Sequence, residues 1–326
     1  MKRIAALIGL SLILAACGVS VTTESGVGES TQSTVMEPVE TTTPASTLPE
    51  PVATDFPASV LTGAGEVVIE QRPEAIISLS PTATEMLFAV GAGDQVIAVD
   101  EYSTFPAAAP VTDLSGFTPN MEAIASYGPD LVIVSNDIED IIATLGALDI
   151  QVLLMPAVTT IEGVFDQIDE IGIATGHRTE AAELIEGLSA DFASAVAGLP
   201  ALDEPLTYYH ELDPTFYSVT SSTFVGGVYG ELRLENIADP ADVDGFGYPQ
   251  LSVEFIIEAD PDLIFVTDCC GESLETVSSR AGWENLSAVQ SGSVFVVDDD
   301  IASRWGPRTI EFLQSVADAV ASAVSG

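Results

Sequence analysis

Along residues 75–155, short β-branched runs alternate with apolar residues at helical spacing. Strands are expected at 75–79, 96–99, 131–135 and 151–155. Helices are expected at 82–90, with Thr82 as cap, and at 121–127 and 138–148. Such alternation predicts parallel sheets with helices on both faces. From 179 to about 199 the period changes. Ala182, Leu184, Ile185, Leu188, Phe192, Ala195, Val196 and Leu199 lie mostly on one helical face, and Gly198-Leu199-Pro200 closes the run. A helix of ~20 residues spans ~30 Å. The alternation then resumes, with strands expected at 206–212, 216–220, 263–267 and 294–297 and helices at 224–234, 253–258 and 307–324. The expected fold class is α/β: two Rossmann-like lobes, 63–178 and 201–326, joined by one long backbone helix, 179–200, with a ligand cleft between the lobes. A single rigid helix between lobes limits how far they hinge.

The first 62 residues are different material. Lys2 and Arg3 precede an apolar run, 4–16, too short to span a bilayer and suited to a signal-peptide core. It ends in Leu14-Ala15-Ala16-Cys17, which resembles the bacterial lipobox and marks Cys17 for lipidation; cleavage of an ordinary signal peptide after Ala16 is the alternative. One acylated N-terminus anchors a protein to a membrane surface without spanning it. Residues 18–62 are rich in Thr, Ser, Glu, Pro and Val and read as a disordered tether.

The charge is lopsided, with 50 acidic against 8 basic residues. Beyond Lys2 and Arg3, the cations are Arg72, Arg178, Arg233, Arg280, Arg304 and Arg308. That excludes nucleic acid as a partner, since little here neutralises phosphates. The acidity suits solubility outside the cell and does not identify a ligand. With 2 histidines and 3 cysteines there is neither a His-rich zinc site nor a C-x-x-C pattern. No G-x-S-x-G elbow or H-E-x-x-H helix is present, which argues against a hydrolase.

The two lobes share a local pattern. Asn120-Met121-Glu122 is followed by Pro129-Asp130-Leu131, and Ser252-Val253-Glu254 by Pro261-Asp262-Leu263, at the same spacing. Each glutamate falls in the first turn of a short helix behind a capping residue. A carboxylate there gains ~0.3–1 kcal/mol from the helix dipole at any surface. Its equivalent placement in two lobes also suits a two-fold symmetric partner that presents arginines.

These features resemble the periplasmic binding proteins for ferric siderophores, haem and vitamin B12, the class with one rigid interlobe helix. The matching residues are 77–85, 120–134, 248–254, 261–264, 283–289 and 306–308. The resemblance implies a non-enzymatic component of an ABC importer, at the extracytoplasmic membrane face or in the periplasm. It implies docking of Glu122 and Glu254 to arginines of a permease dimer with its ATPase. It implies a monomer with no intrinsic cofactor, whose ligand is a metal-containing cofactor or chelate such as cobalamin or a ferric siderophore. Haem binding, or a sensory or adhesive lipoprotein on the same fold, is the alternative.

In such lobes ligands lie beyond the carboxyl ends of the strands. That rule selects Ser80, Tyr102, Phe117, His210, Glu211, Tyr217, Cys269, Cys270, Arg304 and Trp305 as cleft candidates. A neutral His210 imidazole suits cobalt or iron, or is a satisfied surface histidine. Arg304 suits a carboxylate or phosphate, and Trp305 offers a flat face to a corrin. Arg308 is expected to brace its lobe through an acid. Phe246 and Tyr248 are expected to pack beneath the Glu254 helix. Cys269-Cys270 is a local disulfide, a thiol pair or a soft-metal ligand.

Overall fold

The computed structural model describes residues 55–202 and 204–325. The expected signal sequence, the expected lipidation site Cys17 and residues 18–54 lie outside the described residues. The expected tether boundary is corrected: Ala58–Thr62 (β1) is a strand of the folded body, paired antiparallel with Gly65–Ile69 (β2). Alternate residues of β1 are buried, and the hairpin is tied to the first lobe by Gly63 N donating to Leu154 O at 2.9 Å.

The first lobe carries Ile76–Leu79 (β3), Pro81–Ala89 (α1), Val96–Val99 (β4), Met121–Ser126 (α2), Leu131–Val134 (β5), Ile141–Gly146 (α3) and Gln151–Leu154 (β6). Ile161–Thr175 (α4) and Arg178–Ala197 (α5) follow. The second lobe carries Thr207–Glu211 (β7), Phe224–Glu231 (α6), Glu235–Asn236 (β8), Val253–Ala259 (α7), Leu263–Thr267 (β9), Leu274–Ser278 (α8), Ser287–Ser291 (α9), Val294–Val297 (β10), Asp299–Ala302 (α10) and Thr309–Ser325 (α11). Both sheets are parallel, with orders β4-β3-β5-β6 and β8-β7-β9-β10. The second order repeats the first, strand for strand.

The shared Pro-Asp-Leu pattern has a structural cause. Asp130 accepts from the backbone N–H groups of Glu74 and Ala75, at 2.8 and 3.1 Å, just before β3. Asp262 accepts from the backbone N–H and hydroxyl of Thr207, both at 2.8 Å, at the start of β7. Each aspartate thus pins the first strand of its lobe to the strand that it opens, satisfying donors at a strand end.

Several local expectations are corrected. Ser80, not Thr82, caps α1, because Pro81 fits the first helical position and lacks an N–H to satisfy. The helix expected from 138 begins at Ile141, since Glu139 and Asp140 adopt φ of 56° and 54°. No strand forms at 216–220: Phe216 has φ 67°, and the segment makes only single bridges, Ser218 to Glu211 and Tyr217 to Gln250. The amphipathic helix α4, capped by Thr160 and closed by Gly176 at φ 77°, has no counterpart among the expected elements.

Helix α5 buries Ala181, Leu188 and Phe192 and packs against α4 and α11. The α4–α5 approach is close: a Cβ at Gly172 would lie 2.4 Å from the Ala181 methyl. One apolar cluster runs through both lobes, joining Ile76, Met86 and Ile168 to Tyr208, Phe265 and Phe312. A continuous core resists bending because packed interiors are close to crystal density.

Burial, and then the neighbouring Asp166 and Asp169, push the Glu170 carboxyl on α4 up to about 7. From an ordinary value near 4.5 up to that point, the folded chain holds a proton that the unfolded chain has lost, so stability falls as pH rises through this window. Glu170→Gln is expected to raise the melting temperature by about 2 °C at pH 8, after allowing for solvent screening, and to leave it unchanged at pH 4. Calorimetry at the two pH values checks this.

Candidate functional site

A cavity of about 450 Å³ opens between the lobes. Its wall in the first lobe is Ala157, Val158 and Thr159, on the connection from β6 to α4. The second lobe contributes Phe224 at the start of α6, Phe246 and Tyr248 ahead of α7, Asp299 on α10, and Ser303 and Trp305 between α10 and α11. His210, Leu212 and Thr267, at the carboxyl ends of β7 and β9, line it too, as expected for an α/β sheet, and so do Ser222 and Thr223 just ahead of α6. Among the described lining residues Asp299 is the sole formal charge, and burial followed by Asp300 and Asp268 raises its carboxyl pKa.

His210 and Trp305 are the two expected candidates in this wall. His210 is wholly buried on β7, and desolvation pushes its imidazole down to about 3, so it is neutral. Its Nδ1 lies 2.8 Å from the Tyr229 hydroxyl, while Nε2 has no hydrogen-bond partner among the described residues. Trp305 is half-buried and donates from Nε1 to Gln167 Oε1 on α4 at 3.0 Å, which fixes the ring across the lobe boundary.

Arg304 and Glu211 are corrections. Arg304 is buried and its guanidinium is spent within the protein: on Glu85 at 2.9 Å, on Asp300 at 2.6 Å and on the Tyr102 carbonyl at 3.2 Å. Arg308 grips the same Glu85 with two hydrogen bonds, 2.6 and 2.9 Å, and stacks 4.2 Å from the Phe105 ring centre. The brace expected for Arg308 is thus a buried ion cluster between lobes, with Glu85 of α1 at its centre. Glu211 lies inside β7, not after it, and is buried against Arg280 through two contacts of 2.6 Å.

The other candidates sit outside the cavity wall. Ser80 is buried as the α1 cap. Tyr102 and Phe117 are exposed and meet edge to face at 5.6 Å. Tyr217 is exposed at its bridge to Gln250. Cys269 and Cys270 are exposed free thiols with sulfurs 2.7 Å apart, beyond disulfide bonding distance. Cys269 Sγ lies 3.3 Å from the hydroxyl of Thr267, one residue from the rim. Phe246 and Tyr248, expected beneath the Glu254 helix, are 80% and 53% exposed and belong to the cavity instead. Their signal was aromatic side chains on a Gly-rich loop, where burial in a core is rare. Thr159 was missed because helix α4 and its entry loop were, and Phe224 because it opens a helix, expected at 224–234, whose packing against the first lobe has no local signal.

Glu122 and Glu254 are exposed, and neither has an ion-pair partner among the described residues. Asn120 caps α2 through Ala123 N at 3.0 Å, and Ser252 caps α7 through Phe255 N at 3.1 Å. Since α2 feeds β5 and α7 feeds β9, the two carboxylates occupy equivalent places in the repeated lobes.

A family model described as "Periplasmic binding protein" matches residues 76–301, a span that takes in both sheets. An uncharacterized ABC transporter substrate-binding lipoprotein of Bacillus subtilis, YvrC, is 30% identical over 264 residues, covering 78% of this chain and 82% of that one. The cobalamin-binding protein of Halobacterium salinarum is 30% identical over 266 residues, covering 78% of this chain and 71% of that one. The crystal structure of the periplasmic vitamin B12-binding protein BtuF of Vibrio cholerae matches with a TM-score of 0.65 at 26% identity, covering 78% of this chain and 99% of that one. On fold, matched span and relatives together, the chain belongs to the periplasmic binding protein family, as an ABC-transporter substrate-binding protein that carries a solute and catalyses no reaction.

Proposed function

We propose that this protein captures cobalamin in the interlobe cavity and hands it to an ABC permease, anchored outside the cytoplasm by a lipid on Cys17. The observation that carries the cargo assignment is the cavity wall. Phe224, Phe246, Tyr248 and Trp305 offer flat apolar faces to a corrin ring, and no cation lines the wall among the described residues. The cobalamin-binding relative of Halobacterium salinarum and the vitamin B12-binding structure of Vibrio cholerae support the same cargo.

A ferric siderophore is the weaker reading. Its attraction rested on Arg304, which is consumed by Glu85 and Asp300. An anionic chelate would meet Asp299 with no compensating charge. The lipid anchor rests on the Leu14-Ala15-Ala16-Cys17 pattern and on the relative named as a lipoprotein. No described helix is long and apolar enough to cross a membrane.

Purified protein is expected to keep cobalamin through desalting, read from the absorption of the complex, and to lose haem and a ferric hydroxamate carried through in parallel. Retention of either of those with cobalamin lost would overturn the cargo assignment. Trp305→Ala is expected to weaken cobalamin binding about tenfold, since an aromatic face is removed, as isothermal titration checks.

A further inference from the structure

The second lobe buries two polar side-chain atoms that have no hydrogen-bond partner among the described residues: Trp283 Nε1 and His210 Nε2. The first does not line the interlobe cavity. Trp283 lies in the outer core of the second lobe with the Arg280 guanidinium 4.5 Å from its ring centre, and the attraction of a cation for the ring face offsets part of the cost. His210 is the one of the two that belongs to the wall of the interlobe cavity.

The partner of Nδ1 decides what Nε2 offers. The Tyr229 hydroxyl, 2.8 Å away, has no other hydrogen bond among the described residues. Were Nδ1–H the donor, both the Tyr229 proton and the Nε2 lone pair would be left buried without partners. With the tyrosine donating to Nδ1, only Nε2–H is left. Each unmet buried group carries a penalty, so the second arrangement is favoured. Tyr229 is itself fully buried and its pKa is raised well above the ordinary value by desolvation, so it keeps the proton that it donates.

We propose that His210 is the polar anchor of the cavity floor, its Nε2–H donating a hydrogen bond to an acceptor oxygen on the cargo, such as a carboxamide carbonyl, and not coordinating a metal. The proposal rests on the cavity being the cargo site. Nε2 is shut off from solvent beneath the wall, so a cargo oxygen reaches it as wall side chains change rotamer, an ordinary response to a ligand. Of the polar groups in the wall, the Thr223 and Thr267 hydroxyls are spent on the Thr220 and Leu212 carbonyls, whereas the Nε2–H has no partner and is left to set the orientation of the cargo.

Two substitutions of similar size and polarity separate the ring nitrogens. Glutamine carries its amide where Nε2 sits, and asparagine carries its amide where Nδ1 sits. His210→Gln is expected to keep cobalamin affinity within about threefold of the wild type, and His210→Asn to lose about 10- to 100-fold. Equal affinities for the two variants would overturn the proposal. A second measurement needs no variant. The nitrogen spectrum of the wild type, with two histidines to resolve, should show His210 protonated at Nε2 in the free protein and that proton shifted by added cobalamin. A proton at Nδ1, or a change in the cobalamin visible bands that reports imidazole on cobalt, would overturn it. The tautomer is read without cargo, so it judges His210 even if the wild type fails to retain cobalamin, a failure that would count against the proposed cargo instead.

Discussion

Glu85→Gln is expected to lower the melting temperature by roughly 10 °C. Glu85 is buried to 3% exposure and compensates two guanidiniums, Arg304 at 2.9 Å and Arg308 at 2.6 Å. Glutamine keeps the shape and removes the charge. Asp300 still meets Arg304, but Arg308 loses its only carboxylate partner among the described residues. Removing one member of a buried ion cluster typically costs about 3–5 kcal/mol, because the remaining charge stays desolvated without compensation. The loss falls on the contact between α1 and the segment entering α11, so it should also loosen the lobes. Replacing Glu85, Arg304 and Arg308 together by leucine or methionine is expected to recover most of the stability, since apolar side chains of like volume carry no desolvation penalty. A melting temperature within 2 °C of the wild type for Glu85→Gln would show that the cluster is not what holds the lobes. That margin sits well inside the roughly 10 °C expected.

Glu122→Arg with Glu254→Arg is expected to abolish transport while leaving cobalamin affinity within about twofold. Both carboxylates are exposed at equivalent places in the repeated lobes, and neither lines the cavity. Placing like charges across a docking interface costs several kcal/mol, enough to weaken docking by roughly 100-fold or more. Uptake by cells carrying the double variant, set beside a binding titration of the purified protein, checks this. Undiminished uptake would refute the docking role, and parallel loss of binding would place the glutamates in the fold of the cavity instead. The single variants should each fall between, since one lobe would still engage.

Strand–helix alternation determined the two parallel sheets and the long helix α5 without any coordinates, because each element's period answers to local burial. Four strands of β-branched residues and the Asn120 and Ser252 caps lie where that pattern places them. The repeat of Glu122 and Glu254 was legible as a recurring spacing of cap, glutamate and Pro-Asp-Leu, while the strand contacts of Asp130 and Asp262 that go with it span 56 and 55 positions. Helix α4 was within reach too: Ile161, Val164, Ile168 and Ile171 carry its period between Thr160 and Gly176.

What only the tertiary structure decided is which polar groups are left for a ligand. Arg304 and Arg308 look free in a chain so short of cations, yet their partner Glu85 lies 219 and 223 positions away and meets them only when the lobes pack. Glu211 and Arg280, 69 positions apart, are the same case within one lobe. Phe246 and Tyr248 stand exposed on the cavity because of where the chain crosses back beside α6, which no spacing announces. Periodicity reports the side of an element that faces the core. Ion pairing and cavity walls depend on contacts between elements remote in the chain, whose geometry exists only once the core has formed.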